Sequence, residues 1–495
     1  MAGHTGGRAM EAAVHFVYSD ILVLVAYLAA VLWVGYAARR TLREGDAAGY
    51  LVAGRTLSLP AFVATLVATW YGGILGVGEF SYSYGVSNWV VFGLPYYVFA
   101  LLFAWLLAPR VREAELYTIP DRLYSIYGRA CGLAGSLLTF CMTTPAPYTL
   151  ILGVLFQLLF GGDLLWWLVV GTILSTVYLY RGGLHADVRV NVLEFLMMFG
   201  GFAVIIPFLV TRYGGLDFLR QNLPPLHLTW HGGNTVQYIV VWFFIALWTL
   251  IDPGFHQRCY AARSPQVARW GIVVSVCCWF VFDLMTTTAG LYARAVLGDN
   301  LQDPKFAYPV LAERVLPPVA KGIFFVGMFA TVMSTVVSYT FLSAVTFGRD
   351  LLWRWRGGEE EDALRYTRWG ITLVGALAIL LAWKVQSVVN LWYLIGSLFI
   401  PGLLLPLVGS YTRRFRVSPP FALAAMVLGF GTSLGWMVYG SLSGKLQDPA
   451  FLQPMYPGLA VAVMVYAVGW VTTLSGGRTS GSAEKAVPPR FPTRG

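Results

Sequence analysis

The sequence predicts an all-α polytopic membrane protein of thirteen transmembrane helices, ten of them in two five-helix halves of opposite orientation. Three observations predict it. The chain is too apolar and too poor in charge to be a soluble protein of its length. Apolar runs long enough to cross a bilayer recur from end to end. Two of those runs, at corresponding places in the two halves, are interrupted at membrane depth.

Of the 495 residues, 57% are hydrophobic and 12% charged, against roughly 45–50% and 25% in soluble domains. Mean hydropathy is +0.66. Runs of about 17–25 apolar residues span a membrane. They lie near 18–38, 58–80, 87–109, 130–160, 164–180, 190–211 and 237–260, then near 268–296, 319–348, 367–384, 388–412, 420–441 and 456–475. The first is followed by "GYAARR" and lacks a small-residue cleavage site, so it reads as a helix and not as a removable signal. Residues 1–17 form a short outer segment, 18–476 the membrane domain, and the Gly-, Ser- and Pro-rich 477–495 a disordered tail.

Lys and Arg set the orientation. With thirteen spans, "RRTLR", "RVREAEL", "HQRCYAARSPQVAR", "RDLLWRWR" and "TRRFR" fall on one side together with the C-terminal tail. That side holds 25 of the 34 basic residues, against 9 on the other. The N-terminus is therefore expected outside and the C-terminus in the cytoplasm, in a cell (inner) membrane. The net charge of +10 is a topology signal, and no folded basic domain exists to bind nucleic acid. Cys131, Cys141, Cys259, Cys277 and Cys278 show no metal-ligand spacing with histidine and are expected as free thiols.

The interruptions carry the functional argument. In "FFIALWTLIDPGFHQR" (243–258) an apolar run has crossed about two thirds of the bilayer before Asp252, Pro253 and Gly254 follow in succession. Asp caps a helix and Pro suits its first position, so a new helix starts inside the membrane. A backbone freed there must be buried in protein or face a wet cavity. In "LVATLVATWYGGILGVGEFSYSYG" the pair Gly72-Gly73 sits mid-span. Setting the first span aside, these are helices one and six. Two odd-numbered halves, about 58–211 and 237–412, each opening on a broken helix, match the inverted-repeat plan of secondary transporters.

Several stretches resemble the sodium:solute symporters: "YLVAGRTLSLP" (50–60), "GVGEFSYSYG" (76–85), "YTIPDRL" (117–123), "RGGLHADVRVNVLEF" (181–195), "FHQRCYAA" (255–262) and "GMFATVMSTVVSYTFLSAVTFGRD" (327–350). They occur in family order over nearly the whole chain. The resemblance implies a LeuT-type fold with one helix before the repeats and two after. It implies sodium as the coupling ion, held by the hydroxyls of Ser334 and Thr335 and by the carbonyls of Leu66, Thr69 and Thr331. Many relatives carry an Asp where this chain has Val337, and another, which helps sodium leave inward, where it has Asn191. Both changes remove a negative charge. Glu194 stands where relatives commonly have Gln.

For the solute, the resemblance points to Asp252 on the sixth core helix and Ser338 on the eighth, with Gly72 and Gly73 at first-helix contact positions and Phe255 as an inner aromatic gate. Trp248 lies four residues before Asp252, on the same helical face. A carboxylate in the membrane costs about 2.5–3.5 kcal/mol, so Asp252 calls for a partner: a cationic solute group, a proton, or helix N–H groups. The reading favoured is a solute with an amine or other donor. Asp283, mid-span in "WFVFDLMTTTAG", and Asn191 are candidates for a proton or polar relay. Arg181, Arg258 and Arg349 read as anchors at cytoplasmic helix ends. The expected function is sodium-coupled symport of a small organic solute by alternating access, for which a monomer suffices. The alternatives are a proton-coupled or uncoupled carrier on the same fold, or a membrane sensor, although no signalling domain follows residue 476. An enzyme would need a converging His, Cys or acid cluster, and the sequence shows none.

Overall fold

The computed structural model describes residues 14–38, 46–299, 301–357, 359–446 and 451–475. The expected tail at 477–495 and most of the outer N-terminal segment lie outside them. The regular structure among the described residues is helical, apart from one isolated parallel bridge between Leu57 and Ala262. Among the described residues eleven helices are long and apolar enough to cross a membrane, and one bent pair makes a twelfth span.

In chain order these are α1 (Tyr18–Ala38), the bent pair α2 (Leu59–Trp70) and α3 (Ile74–Tyr84), α4 (Trp89–Leu106), α5 (Arg129–Phe160), the shorter α6 (Leu164–Thr176) and α7 (Leu179–Tyr213). They continue as α8 (Val236–Ala261), α9 (Pro265–Leu297), α10 (Ala320–Arg356), α11 (Glu361–Val385), α12 (Leu391–Ser410), α13 (Pro419–Leu442) and α14 (Met455–Ser475). The run expected at 164–180 yields only 13 helical residues before the turn at Val177 and Tyr178. At about 1.5 Å per residue that is about 20 Å, short of the roughly 30 Å hydrocarbon core.

The helix starts follow local chemistry. The Thr235 hydroxyl accepts from the Tyr238 N–H at the head of α8, and Ser264 does the same for Val267 at the head of α9. Pro60 and Pro265 occupy first-turn positions, where their missing N–H costs nothing. On α1 and α14 the outward faces are apolar: Leu22, Val25 and Trp33 on one, Met464, Val468 and Val471 on the other. Such faces suit lipid and not water. At the other extreme α10 is almost wholly buried. It is the post around which α2, α7 and α8 converge.

Both predicted interruptions are present. Between α2 and α3 the axis turns by 62° at Tyr71, Gly72 and Gly73. α8 runs to Ile245, resumes as one turn over Trp248–Ile251, and restarts at Pro253. Asp252 between them is extended (φ −65°, ψ 120°). The Leu57–Ala262 bridge ties the approach to α2 to the end of α8, through Leu57 N–H to the Ala261 carbonyl (3.0 Å) and Arg263 N–H to the Leu57 carbonyl (3.1 Å). In α7 the chain bends at Gly183, whose φ of +49° disfavours any side chain and whose Cβ would strike the Tyr50 carbonyl.

Candidate functional site

Three groups of side chains meet where the two breaks face α10. In the first, the Ser334 hydroxyl donates to the Ala68 carbonyl (2.8 Å) and the Thr335 hydroxyl to the Thr69 carbonyl (2.7 Å). Ser334 also reaches the Thr331 carbonyl at 2.9 Å. The last turn of α2, just ahead of the break, thus presents carbonyls to two adjacent hydroxyls of α10. These are neutral, hard oxygens of the kind that unwound transporter helices offer to Na⁺. Of the expected set, Thr69, Thr331, Ser334 and Thr335 come together. Leu66 is buried nearby on α2, but the carbonyl that meets Ser334 belongs to Ala68, which sequence reasoning missed. The cause is a helix-phase question: which carbonyls face α10 depends on how the helix ends at the bend.

The second group is a buried ion pair. Arg258 and Asp187 are both fully buried, with Nη2 2.9 Å from Oδ2. The same guanidinium nitrogen lies 2.8 Å from the Ser338 hydroxyl, 3.0 Å from that of Thr69 and 3.2 Å from that of Thr65. The Ser338 hydroxyl donates to the other Asp187 oxygen (2.6 Å), and the Asn191 amide donates to Thr65 (2.8 Å). Two N–H groups shared among four acceptors make this a network with alternative pairings. Arg258 is therefore no interfacial anchor. It points inward from α8, because the break at Asp252 starts a new helix deep enough that residue 258 is still inside the protein. Arg349 is likewise buried, 2.9 Å from Asp121 and 2.7 Å from Asp350. Asp187 was overlooked, although the signal was present: it precedes Asn191 by four residues, one turn along the same face. An acid thus stands one turn before Asn191 on the same face of α7.

The third group is an aromatic cavity of about 140 Å³, bounded by Trp70, Tyr71, Tyr96, Tyr148, Trp248, Tyr339 and Trp392 among others. A cavity of about 150 Å³ holds a molecule the size of benzene. Gly73 and Trp248 line it. Gly72 instead lies against Thr335 and Tyr148, where a Cβ would overlap the Thr335 hydroxyl. Asp252 sits behind the wall. One carboxylate oxygen accepts the Phe255 N–H (2.9 Å) as a helix cap, and the other accepts both the Trp248 indole N–H and the Tyr339 hydroxyl, each at 2.8 Å. Phe255 is fully buried, edge-on to Trp70 with centroids 5.1 Å apart. Ser338 belongs to the ion-pair network. Asp283 accepts from Tyr97, joining α9 to α4, and stands apart from Asn191. On α10, Thr335, Ser338 and Tyr339 recur at helical spacing, so one stripe touches all three groups.

A model of the Sodium:solute symporter family matches residues 50–429. The sodium/pantothenate symporter of Escherichia coli (strain K12) is 26% identical over 489 residues, covering 91% of this chain and 95% of that protein. The high affinity choline transporter 1 of Homo sapiens is 24% identical over 477 residues, covering 88% and 79% respectively. A solved structure of a Na⁺-coupled sialic acid symporter in its substrate-bound outward-open state matches with a TM-score of 0.73 at 16% identity. It covers 93% of this chain and 98% of that one, a likeness that shows the fold. Pantothenate, choline and sialic acid share no one charge, so these names do not choose a solute. The match along most of the chain does decide the family: the chain belongs to the sodium:solute symporters, which are membrane transporters and not enzymes.

Proposed function

We propose that this protein couples the inward movement of sodium to that of a small organic solute bearing a positive charge, by alternating access. The observation that carries the reading is the pairing of Ser334 and Thr335 with the Ala68 and Thr69 carbonyls beside an aromatic cavity. Sodium would replace the two hydroxyl protons' bonds with direct contacts to the same oxygens, drawing α2 to α10. Because Trp70 and Tyr71 follow directly in the chain and line the cavity, that movement would shape the solute site. Each sodium entering down the potential contributes about 2.3 kcal/mol per 100 mV.

Two features favour a cationic solute. Aromatic faces surround the cavity, and a desolvated cation over such a face gains about 2 kcal/mol. The Asp252 carboxylate stands behind Trp248 and Tyr339, which both donate to it, placing a negative charge beyond the aromatic rings that line the cavity. We further propose thirteen spans, with α6 as the thirteenth, and the two inverted halves at about 58–211 and 237–412. The outer N-terminus, the cytoplasmic C-terminus and a single functional protomer complete the reading.

The test needs no solute. Thermal unfolding of purified protein is followed against sodium and potassium at constant ionic strength, for wild type and Ser334→Ala/Thr335→Ala. A ligand of the folded state at a hundred times its Kd adds about 2.7 kcal/mol. The expected result is a sodium-specific rise that the double variant lacks. Equal curves in both cations for wild type would sink the sodium assignment.

A further inference from the structure

The ion pair and the helix cap account for Asp187 and Asp252, but a further fully buried acid has no positive partner. Glu194, on α7, is 0% exposed. One carboxylate oxygen accepts the Tyr27 hydroxyl of α1 at 3.2 Å, and the same hydroxyl lies 3.7 Å from the Met333 sulfur of α10. The other oxygen, Oε2, has no hydrogen-bond partner. A second phenol close by, Tyr178, has its ring against Gly35 of α1 and its hydroxyl also buried without a partner. An ionised carboxylate accepts at about four positions and donates nowhere. With one bond of 3.2 Å, this one is far from satisfied as an anion.

The surrounding charges offer no relief. On α7 itself the charged residue that acts on Glu194 is Asp187, an acid two turns away and already held by Arg258, while Arg189 is exposed. α2 contributes no ionisable side chain along its length. On α10 the ionisable groups are engaged elsewhere: Lys321 with Glu313 and Asp20, Tyr339 with Asp252, and Arg349 with Asp121 and Asp350. From α9, Asp283 is bound by Tyr97. Tyr50 donates to the Leu179 carbonyl, and Arg368 of α11 to that of Tyr180. A buried carboxylate with no cation takes up a proton before it bears the cost of remaining charged.

We propose that Glu194 is a proton-binding site, separate from the sodium site, and that in this arrangement of α1, α7 and α10 its Oε2 carries the proton. One proton from water neutralises one carboxylate. Asn191 lies one turn away on α7 and Met333 immediately precedes Ser334 on α10. The proton site on α7 and the proposed sodium site between α2 and α10 thus have α10 as a common neighbour, through Met333 on one side and Ser334 and Thr335 on the other.

The test uses the full chain in lipid nanodiscs, with protons as the only added ligand. Infrared difference spectra are recorded between mildly acidic and mildly alkaline buffer, in water and in deuterium oxide, to detect the stretch of a protonated carboxyl group. The expected result is a deuterium-sensitive band in wild type and in Asp283→Asn that is lost in Glu194→Gln. Tyr27→Phe, which deletes the single hydrogen bond, should shift the band without removing it, and serves if Glu194→Gln does not fold. A band indifferent to both Glu194→Gln and Tyr27→Phe, or no such band in wild type, overturns the proposal. Sodium-dependent unfolding of Glu194→Gln separates the two readings: its sodium response stays if the sites are distinct, whatever the spectra show.

Discussion

The two broken helices solve the same problem in opposite ways. At Tyr71–Gly73 the chain supplies no charged or capping side chain, and its neighbours close in instead: Thr335 and Tyr148 on Gly72, Trp392 on Gly73. The carbonyls of Ala68 and Thr69 are left to accept from outside the helix. At Asp252 the chain carries its own cap, and the carboxylate satisfies the new helix start from within. The first break therefore presents acceptors suited to a cation, while the second presents the aromatic rings of Trp248 and Tyr339, whose N–H and O–H are turned back to the Asp252 carboxylate. A break made of glycine exposes backbone; a break made of aspartate hides it.

Arg258 links the two. It belongs to the helix that Asp252 starts, yet its guanidinium rests on Thr65 and Thr69 of the first broken helix and on Asp187. The largest effect is expected from cutting that link. Asp187→Asn leaves a guanidinium fully buried without its counter-ion, and removing one partner of a buried pair costs about 3–5 kcal/mol. Thermal unfolding should fall accordingly, and Asp187→Asn/Arg258→Met should recover part of the loss. A double variant no better than the single one would mean that the pair is held by something other than its mutual charge.

The next effect isolates the first break. Gly72→Ala places a Cβ on the Thr335 hydroxyl, in the path of the Thr69 carbonyl bond. The sodium-specific stabilisation, about 2.7 kcal/mol at a hundred times Kd, should vanish while solute binding at the second break weakens less. Normal sodium stabilisation in Gly72→Ala would show that the ion binds elsewhere.

What was legible in the sequence divides along the same line. The breaks were legible because they are local: Gly-Gly gives up side-chain support and Asp-Pro-Gly removes an N–H, so each weakens a helix by its own backbone chemistry. Ser334 and Thr335 rested on the resemblance, and the structure brings them to the carbonyls of the first break. The Asp187–Arg258 pair was not read, since its members lie 71 residues apart and an arginine near a basic loop looks like an anchor. Only the depth at which α8 restarts puts it inside. Trp392 and Tyr148 were invisible for a similar reason. Tyr148 follows an interruption of α5 at Thr143–Pro145 that was not read, Trp392 comes from α12, and an aromatic residue in a membrane helix has no sequence mark that distinguishes a cavity wall from a lipid face. The short α6 is the reverse case, where composition promised a full span and the turn at Val177 and Tyr178 ended it early.

The smallest expected effect separates the two duties of Asp252. As a cap it is replaceable by asparagine, which ranks with aspartate at that position, whereas alanine costs about 0.5–2 kcal/mol. Asp252→Asn should therefore unfold within a few tenths of a kcal/mol of wild type and keep its sodium response, and Asp252→Ala should unfold earlier. As a charge it is not replaceable: the Trp248 and Tyr339 donors then meet a neutral oxygen, and a cationic solute loses the negative field behind the cavity wall. Binding of such a solute should weaken about tenfold or more in Asp252→Asn, about 1.4 kcal/mol, while a neutral solute of the same shape should be little affected. Measured together, unfolding and binding of the two variants decide which duty dominates. Equal binding of charged and neutral solutes by Asp252→Asn and by wild type would make the residue a cap alone, and the second break a matter of architecture instead of recognition.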